Sequence, residues 1–519
     1  MDLPTLQPES SSKEDFKTIC IIGAGPSGLA ALKVILDSPQ YKAGKWKPTA
    51  FESRDSIGGV WLPAPPTDDP PLTPLYDSLT SNLPHPIMAF PSYPFPPSTP
   101  LFPRANLVLD YLSSYADHFH LRPHIKLNTT VASVVRSPAS TSSSPTWHVS
   151  LSTGNTLNFD LVLVCNGHYR IPRYPNIPGL ARWLNARRAS HSAWYRHPTT
   201  NLGPTVLVVG AGPSGHDIAR DMLTASHTST VIHSGPAHAN TDVGNLKLRG
   251  RVSHFGESGE VAFEDGTTEH GVSHAILATG YELSFPFLPP FIVRPGVPPP
   301  APPLPKELYN STYSLFPLAR HLWPLHHCIP SSSMAFLGLL VRVAPFPVVE
   351  AQARAALYAF EDRERLDSTR EAVEVVTRYE ALRERVGSDD PTAIAKAWHR
   401  FEPLEQFDYR DALYDFVSSP RDGDLEAVWE SRSVEGSSNG IGRGARVPEW
   451  EKEAYLAKDV LRKAWVRLEE RGEAEEWVRG VGEGGLHEWV EMMRRLKTWA
   501  EEHWQEIDVV NEEVDKSRL

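Results

Sequence analysis

The sequence predicts an α/β fold: two parallel βαβ units followed by a helical C-terminal extension. Three observations carry the prediction. A short apolar run, Thr18–Ile22, leads into Gly23-Ala24-Gly25-Pro26-Ser27-Gly28, and helical spacing follows over Leu29–Leu36. The same order recurs 187 residues later, where Val206–Val209 leads into Gly210-Ala211-Gly212-Pro213-Ser214-Gly215. From Glu350 onward, apolar residues recur at helical spacing.

Each glycine in such a turn has a job. Gly23 turns the chain tightly, Gly25 lets backbone approach a pyrophosphate, and Gly28 lets the helix close on the strand. The helix N-terminus, with Pro26 and Ser27 in its first turn, then favours phosphate charge. Glu52 ends the next strand, 24 residues after Gly28, where a carboxylate accepts hydrogen bonds from ribose hydroxyls, as in FAD or NAD. These features make the first unit a Rossmann-like dinucleotide site.

The second unit differs at that point. Its next strand ends Val231-Ile232-His233-Ser234, with no carboxylate. An acidic residue would repel a 2′-phosphate, so its absence favours NADP over NAD. Ser234, with His233 or His238 as the cation, is the expected phosphate holder, since no arginine is within reach in sequence. Two such sites imply electron flow from a nicotinamide to a flavin. Cys20, Cys165 and Cys328 form no C-x-x-C pair, which removes the disulfide reductases.

Composition sets further bounds. The 519 residues suit two to four domains. Few cysteines fit a reducing compartment. The net charge of −12 resides in residues 401–519, where 29 acidic residues face 17 basic ones. That balance argues against nucleic acid. No run is long and apolar enough for a membrane span, and Met1–Phe16 lacks a secretory apolar stretch. The chain ends Ser517-Arg518-Leu519, a conservative variant of the peroxisomal S-K-L address, so a cytoplasmic or peroxisomal location is expected.

Between the motifs, residues 62–104 read as proline-rich loop, with Asp77–Phe90 its ordered piece. Leu107–Phe119 reads as helix, Ile125–Val135 and Trp147–Leu151 as strands around a surface turn (Ser137–Pro145), and Leu161–Val164 and Ala275–Thr279 as buried strand. Pro286–Pro305 reads as an extended polyproline linker, and Val434–Arg446 as flexible. Leu486, Trp489, Met493 and Leu496 form one core stripe; Leu461, Trp465 and Leu468 form another. The expected domains are 1–170, 171–282, 283–400 and 401–519, the last of acidic helices.

Further motifs accompany the glycine turns. They are Gly58-Gly59-Val60-Trp61 and Leu79-Thr80-Ser81-Asn82-Leu83-Pro84, continued by Met88 and Phe90. Asn166-Gly167-His168 and Ala278-Thr279-Gly280-Tyr281 follow at the two strand-to-linker crossings, and Phe346-Pro347, Glu350, Gln352, Ala353 and Arg354 come later. On these residues the chain resembles the flavin-containing monooxygenases, class B flavoprotein monooxygenases, from about Thr18 to Phe360. It has Ser81 for the usual threonine of the second of these motifs, and it departs further in one place. The family sequence F-x-G-x-x-x-H-x-x-x-[YF] keeps His191, Ser192 and Tyr195 but has Asn185 and Arg187 for its phenylalanine and glycine.

The resemblance implies FAD and NADPH as cofactors, FAD bound by 1–170 with the returning part 283–400 and NADPH bound by 171–282, with a small organic substrate and O₂. The cofactor-binding set it implies is Gly23, Gly25, Pro26, Ser27, Gly28, Glu52, Val60, Trp61, Ser81, Asn82, Val131, Gly210, Gly212, Ser214, Gly215, Asp217, Ser234, Thr279 and Gly280. It also implies that NADPH reduces FAD and that O₂ then gives a C4a-hydroperoxide. A nucleophilic nitrogen or sulfur (or carbon) centre takes up the oxygen, and Asn82 supplies the amide beside the flavin. Two other readings stay open: Baeyer–Villiger oxygenation of a ketone, and NADPH oxidase activity without oxygen transfer. The 401–519 helices either cap the FAD domain or form an oligomer contact. No metal is expected. Adjacent His326 and His327, beside Cys328, would point in different directions. His216 reads as helix surface, and Cys20 and Cys165 as inert core thiols.

Overall fold

The computed structural model describes residues 16–137, 146–236, 238–418 and 446–503. The first unit supplies β1 (Lys17–Ile22), α1 (Pro26–Asp37), β2 (Trp46–Phe51), β3 (Ile125–Lys126) and β4 (Leu161–Val164). β1 pairs in parallel with β2 on one side and with β4 on the other. β3 extends the sheet beyond β2, and Met334–Phe336, from far along the chain, extends it beyond β4. Leu161, Val162, Leu163 and Val164 are all buried. That is the unbroken apolar run expected of a parallel strand covered on both faces.

The second unit supplies β5 (Ala189–His191), β6 (Thr205–Val209), α2 (Pro213–Thr224), β7 (Thr230–Ser234), β8 (Thr241–Val243), β9 (Leu246–Arg249) and β10 (His274–Leu277). Its sheet runs β8-β9-β7-β6-β10-β5, parallel except for the β8–β9 pair. The chain passes between the units twice. The crossings lie side by side, Ile171–Pro172 paired antiparallel with Tyr281–Glu282.

The chain returns to the first sheet through α3 (Pro345–Glu361), which lies on α1. The buried Lys33 ammonium stands 3.0 Å from Asp37 and 3.9 Å from Glu350, so its charge enters the interface paired.

Three expectations change. Ile125–Val135 is two strands: Asn128 takes a left-handed φ of 51°, and Asn128 and Thr129 donate to Arg54 O and Glu52 O. The chain turns there, and Val131–Arg136 joins a separate antiparallel sheet with Trp147–Leu151 and Thr156–Phe159. Pro286–Pro305 is not an open spacer. Phe287, Leu288 and Ile292 are buried, and Val293–Pro295 pairs with Leu308–Asn310, because apolar side chains between the prolines gain more in the core than a solvated helix allows. In the last helix, Leu486–Glu502, Trp489, Met493 and Leu496 are buried but Leu486 is 46% exposed, one turn before the helix reaches the core.

The acidic extension packs on the first unit. Leu461, Trp465 and Leu468 share one core with Ile19, Leu29 and Leu112. Trp489 meets His85 edge-on at 4.3 Å, and Tyr455 donates to Arg342 O at 2.9 Å. Among the described residues no helix is long and apolar enough to cross a membrane. Met1–Asp15, the turn residues 138–145, Val434–Ala445 and Ser517-Arg518-Leu519 lie outside the described residues.

Candidate active site

At the first glycine turn sterics leave little choice of residue. Gly23 has φ 102°, and a Cβ there would stand 2.6 Å from Cys165 O. A Cβ on Gly28 would stand 1.9 Å from Gly23 O. α1 begins at Pro26 with Gly25 as N-cap, and no side chain caps it. Its first N–H groups therefore suit a phosphate. Gly59 lies opposite: a Cβ on Gly25 would be 3.2 Å from Gly59 Cα. The half-buried Ser27 borders Gly338, whose N–H donates to Gln352 Oε1 at 2.9 Å.

The loop carrying Val60 and Trp61 is tied down. Arg54 donates to Leu62 O at 2.7 Å and Pro63 O at 2.8 Å, and Thr73 donates to Val60 O at 2.6 Å. Glu52 is 6% exposed; its carboxylate accepts from Ala24 N–H at 2.8 Å and Arg54 N–H at 3.0 Å. A carboxylate has about four acceptor sites, so capacity for a ribose hydroxyl remains. Val131 is buried where the antiparallel sheet begins. Ser81 is buried and donates to Leu83 O at 2.8 Å. The neighbouring Asn82 is exposed, and its amide has no hydrogen-bond partner among the described residues.

The second turn repeats the geometry. Gly210 has φ 123°, with a Cβ position 2.3 Å from Ala278 O, and a Cβ on Gly215 would stand 1.8 Å from Gly210 O. Gly212 faces open space, with nothing within 4 Å of its Cβ position, and again leaves its helix without a side-chain cap. Ser214 and Asp217 are half-buried in the first turns of α2. Asp217 accepts from Tyr76 OH at 2.8 Å, which ties the two units together. Burial, then the Asp217 charge, raises the Tyr76 phenol, so it keeps its proton.

Ser234 departs from expectation. It is 1% exposed and donates to Gly250 O at 2.6 Å, so its proton is used inside the core rather than offered to a 2′-phosphate. Arg249, its partner across the strands, bonds Asp242 and Glu269. Thr279 donates to Arg173 O at 2.6 Å, fastening one crossing to the other.

The retained part of the F-x-G motif braces the same place. His191 is wholly buried; Nε2–H donates to Gly280 O at 3.0 Å and Nδ1 accepts from Ala193 N–H. Burial lowers it to about 4, so it is neutral at pH 7. Tyr195 OH donates to Asp221 at 2.5 Å. The substituted positions Asn185 and Arg187 are both exposed. Arg187 has φ 56°, the left-handed region that favours the glycine of the family sequence.

The sequence reading missed several groups that assemble the cleft. Arg196 of the second unit donates to Ala64 O at 3.2 Å and Thr73 O at 3.1 Å in the first. Arg462 reaches in from the extension: it donates to Thr80 Oγ1, two residues before Asn82, with its guanidinium 5.1 Å from the Phe102 ring centre. Its Nη1 is buried without a hydrogen-bond partner among the described residues. The bond spans 382 residues, and no local pattern announces it. His326 and His327 also depart from expectation: their rings stack at 4.7 Å and 23° instead of diverging.

A family model for "Flavin-binding monooxygenase-like" proteins matches residues 16–237 and 236–402. Flavin-containing monooxygenase 2 of Homo sapiens is 28% identical over 413 residues, covering 65% of this chain and 72% of the relative. Flavin-containing monooxygenase FMO GS-OX-like 4 of Arabidopsis thaliana is 26% identical over 479 residues, 86% of this chain and 92% of the relative. The structure of S-allyl-L-cysteine S-oxygenase from Allium sativum matches with a TM-score of 0.66 and 25% identity, over 89% of this chain and 94% of that one. At that coverage the likeness extends into 401–519, beyond the stretch where motifs are readable. The chain belongs to the flavin-binding monooxygenase-like family and is an NADPH-dependent flavin monooxygenase with FAD and NADPH as its cofactors.

Proposed function

We propose that this enzyme places one oxygen atom of O₂ on a nucleophilic nitrogen or sulfur of a small molecule, with NADPH as reductant. Of the described residues, those within 1–170 and 283–400 form the FAD part, those within 171–282 the NADPH part, and those within 401–519 a cap. The observation that carries the reading is Asn82: an exposed amide on a segment anchored by buried Ser81 and Leu83. The likeness to a cysteine-derivative S-oxygenase over 89% of the chain supports the choice of heteroatom.

Gly23, Gly25, Gly28 and Gly59 would hold FAD, with Glu52 on its ribose; Gly210, Gly212 and Gly215 would hold NADPH. When bound, FAD supplies the redox chemistry with O₂ and the nicotinamide supplies the hydride. The protein's own part is geometry. Tyr76–Asp217 and the Arg196 contacts fix one cleft against the other. The exposed Asn82 amide offers a donor N–H. Arg54 and Thr73 hold the Val60–Trp61 loop against the glycine turn, which limits water. No side chain in this account has to gain or lose a proton.

NADPH consumption by the purified holoenzyme under air tests the proposal, with amines, thiols, thioethers and ketones offered in turn and H₂O₂ assayed alongside. Faster consumption with an N- or S-oxide and little peroxide is the expected result. An ester from a ketone would select the Baeyer–Villiger reading, which the Asn185 and Arg187 departures keep in play. Consumption that ignores every substrate and ends as peroxide would select the oxidase.

A further inference from the structure

The returning part of the chain shapes a cavity of about 380 Å³. Leu318–Ala319 and the turn after it form one wall, and residues of the helices Ser368–Val386, Pro391–Trp398 and Glu405–Ser418 form the others. Cavities of this size take small molecules. This one shares no residue with either glycine turn or with Asn82.

Two buried histidines preset a donor at its wall. Burial, first among the causes, lowers His399 to about 3 and His321 well below its ordinary value, so both rings are neutral at pH 7. His399 Nε2 accepts from Leu315 N–H at 3.3 Å, which puts its proton on Nδ1. That proton goes to His321 Nδ1 at 3.1 Å, which leaves the His321 proton on Nε2. His321 lines the cavity at 4% exposure, and its Nε2–H has no hydrogen-bond partner among the described residues.

Glu371 supplies the complementary acceptor. It is 3% exposed and lines the same cavity. Its Oε1 accepts from Arg320 Nε at 2.9 Å and Nη2 at 2.8 Å, while Oε2 is buried without a partner among the described residues. Trp398 Nε1–H and Arg378 Nε–H, also on cavity-lining residues, are buried without partners too. An unpaired buried polar group is costly, so several around one cavity mark a place that something else completes. Arg320 and His321 are consecutive left-handed residues, with φ 46° and 58°. Strain of that kind concentrates where a fold holds ligands.

The charge pattern indicates which kind of ligand. Arg320 pairs with Glu371, and Arg378 with Glu405. At the exposed rim two carboxylates, Glu374 and Asp408, stand against one guanidinium, Arg370. The excess is negative and favours a cation. The wall also connects to the first glycine turn. Tyr409 OH donates to Arg320 O at 2.8 Å and accepts from Gln352 Nε2 at 3.0 Å; Gln352 Oε1 accepts from Gly338 N–H, beside Ser27.

We propose that this cavity is a second small-molecule site, for a compact primary amine in its protonated form. The ammonium donates to Glu371 Oε2, an oxygen of the ligand accepts from His321 Nε2–H, and the stem lies against Val375, Phe401 and Leu413. Occupancy is felt at the flavin through Tyr409 and Gln352. That coupling rests on the proposed FAD cleft; the site does not.

Equilibrium dialysis of the full-length oxidised holoenzyme with tyramine, without NADPH, tests the site. One saturable site per chain is expected. Binding should be roughly tenfold weaker or more for 4-hydroxyphenylacetate, which carries a carboxylate in place of the ammonium. Glu371→Gln and His321→Phe should each weaken tyramine roughly tenfold, as loss of a buried hydrogen-bond partner does. Glu374→Gln combined with Asp408→Asn, on the exposed rim, should weaken it severalfold, and less at high salt. Asn82→Ala should leave it unchanged. Absence of saturable binding, equal affinity for tyramine and the acid, or wild-type affinity in both Glu371→Gln and His321→Phe would overturn the site. Loss of binding in Asn82→Ala would also overturn it, by moving the amine to the substrate cleft. If the two buried variants fail to retain flavin, the rim pair decides, and wild-type affinity there overturns the proposal. Saturating tyramine should also shift the flavin absorbance bands. Binding with unmoved bands strikes the coupling and leaves the site, because dialysis does not read the flavin.

Discussion

In the first glycine unit a Cβ on Gly28 would meet Gly23 O at 1.9 Å, and in the second a Cβ on Gly215 would meet Gly210 O at 1.8 Å. The strand-to-helix packing is the same. Around it the two clefts differ. A Cβ on Gly25 would stand 3.2 Å from Gly59 Cα, under a loop fastened by Arg54 and Thr73, whereas Gly212 faces open space. After the second strand, the first unit has Glu52 bonded to the glycine turn itself, and the second has a core-bound Ser234 and three histidines. One cleft is closed by its own chain and returning helix; the other stays open on one side. The difference suits a retained prosthetic group in the first and an exchanging cosubstrate in the second.

The largest effects should come from the matched glycines. Gly28→Ala puts a methyl group on a carbonyl that cannot retreat, a clash worth upward of 1–3 kcal/mol by ordinary overpacking, about tenfold or more in cofactor affinity. It should purify with a lower flavin-to-protein absorbance ratio. Gly215→Ala should keep its flavin yet lose NADPH-driven bleaching. If either variant lost the other's cofactor instead, the assignment of the clefts would be reversed. Gly212→Ala, with nothing near its Cβ position, should melt within a degree or two of wild type.

Asn82→Ala should bind FAD normally, but product formed per NADPH consumed should fall roughly tenfold or more, as when a positioned donor is removed from a reacting centre, with peroxide making up the balance. A fully coupled Asn82→Ala enzyme would sink the role given to this amide.

Acid should separate the two sheets. β5 carries His191 and β10 carries His274, both lowered to about 4 by burial first of all, while the strands of the first sheet carry no histidine. Unfolded histidines titrate near 6.5. Between about 6.5 and 4 the unfolded chain therefore binds more protons than the folded one, and stability falls as pH falls through that window. Amide protection factors, which remove the intrinsic pH dependence of exchange, should fall more in 205–234 than in 17–51 from pH 7 to pH 5. Equal protection of both segments would mean that these histidines do not control local opening.

The smallest effect is expected at the departure from the family motif. Arg187→Gly relieves a left-handed φ of 56° but adds freedom to the unfolded chain. The two terms roughly cancel, so the melting free energy should change by less than about 0.5 kcal/mol. A loss well beyond that would show that the arginine side chain earns its place in a contact.

The sequence alone determined the two βαβ units, the positions of Gly23, Gly28, Gly210 and Gly215, and the cofactor pair. These features are written in consecutive residues, where a turn, a strand end and a helix start constrain each other locally. Tertiary structure decided the rest. The buried side chains of Pro286–Pro305 turned an apparent spacer into packed chain. Ser234 looked available until Gly250 was seen to accept its proton. Arg462 reached Thr80 across 382 residues. His233 donates to Gly210 O, and where a carbonyl points depends on the folded backbone, not on the residue that bears it.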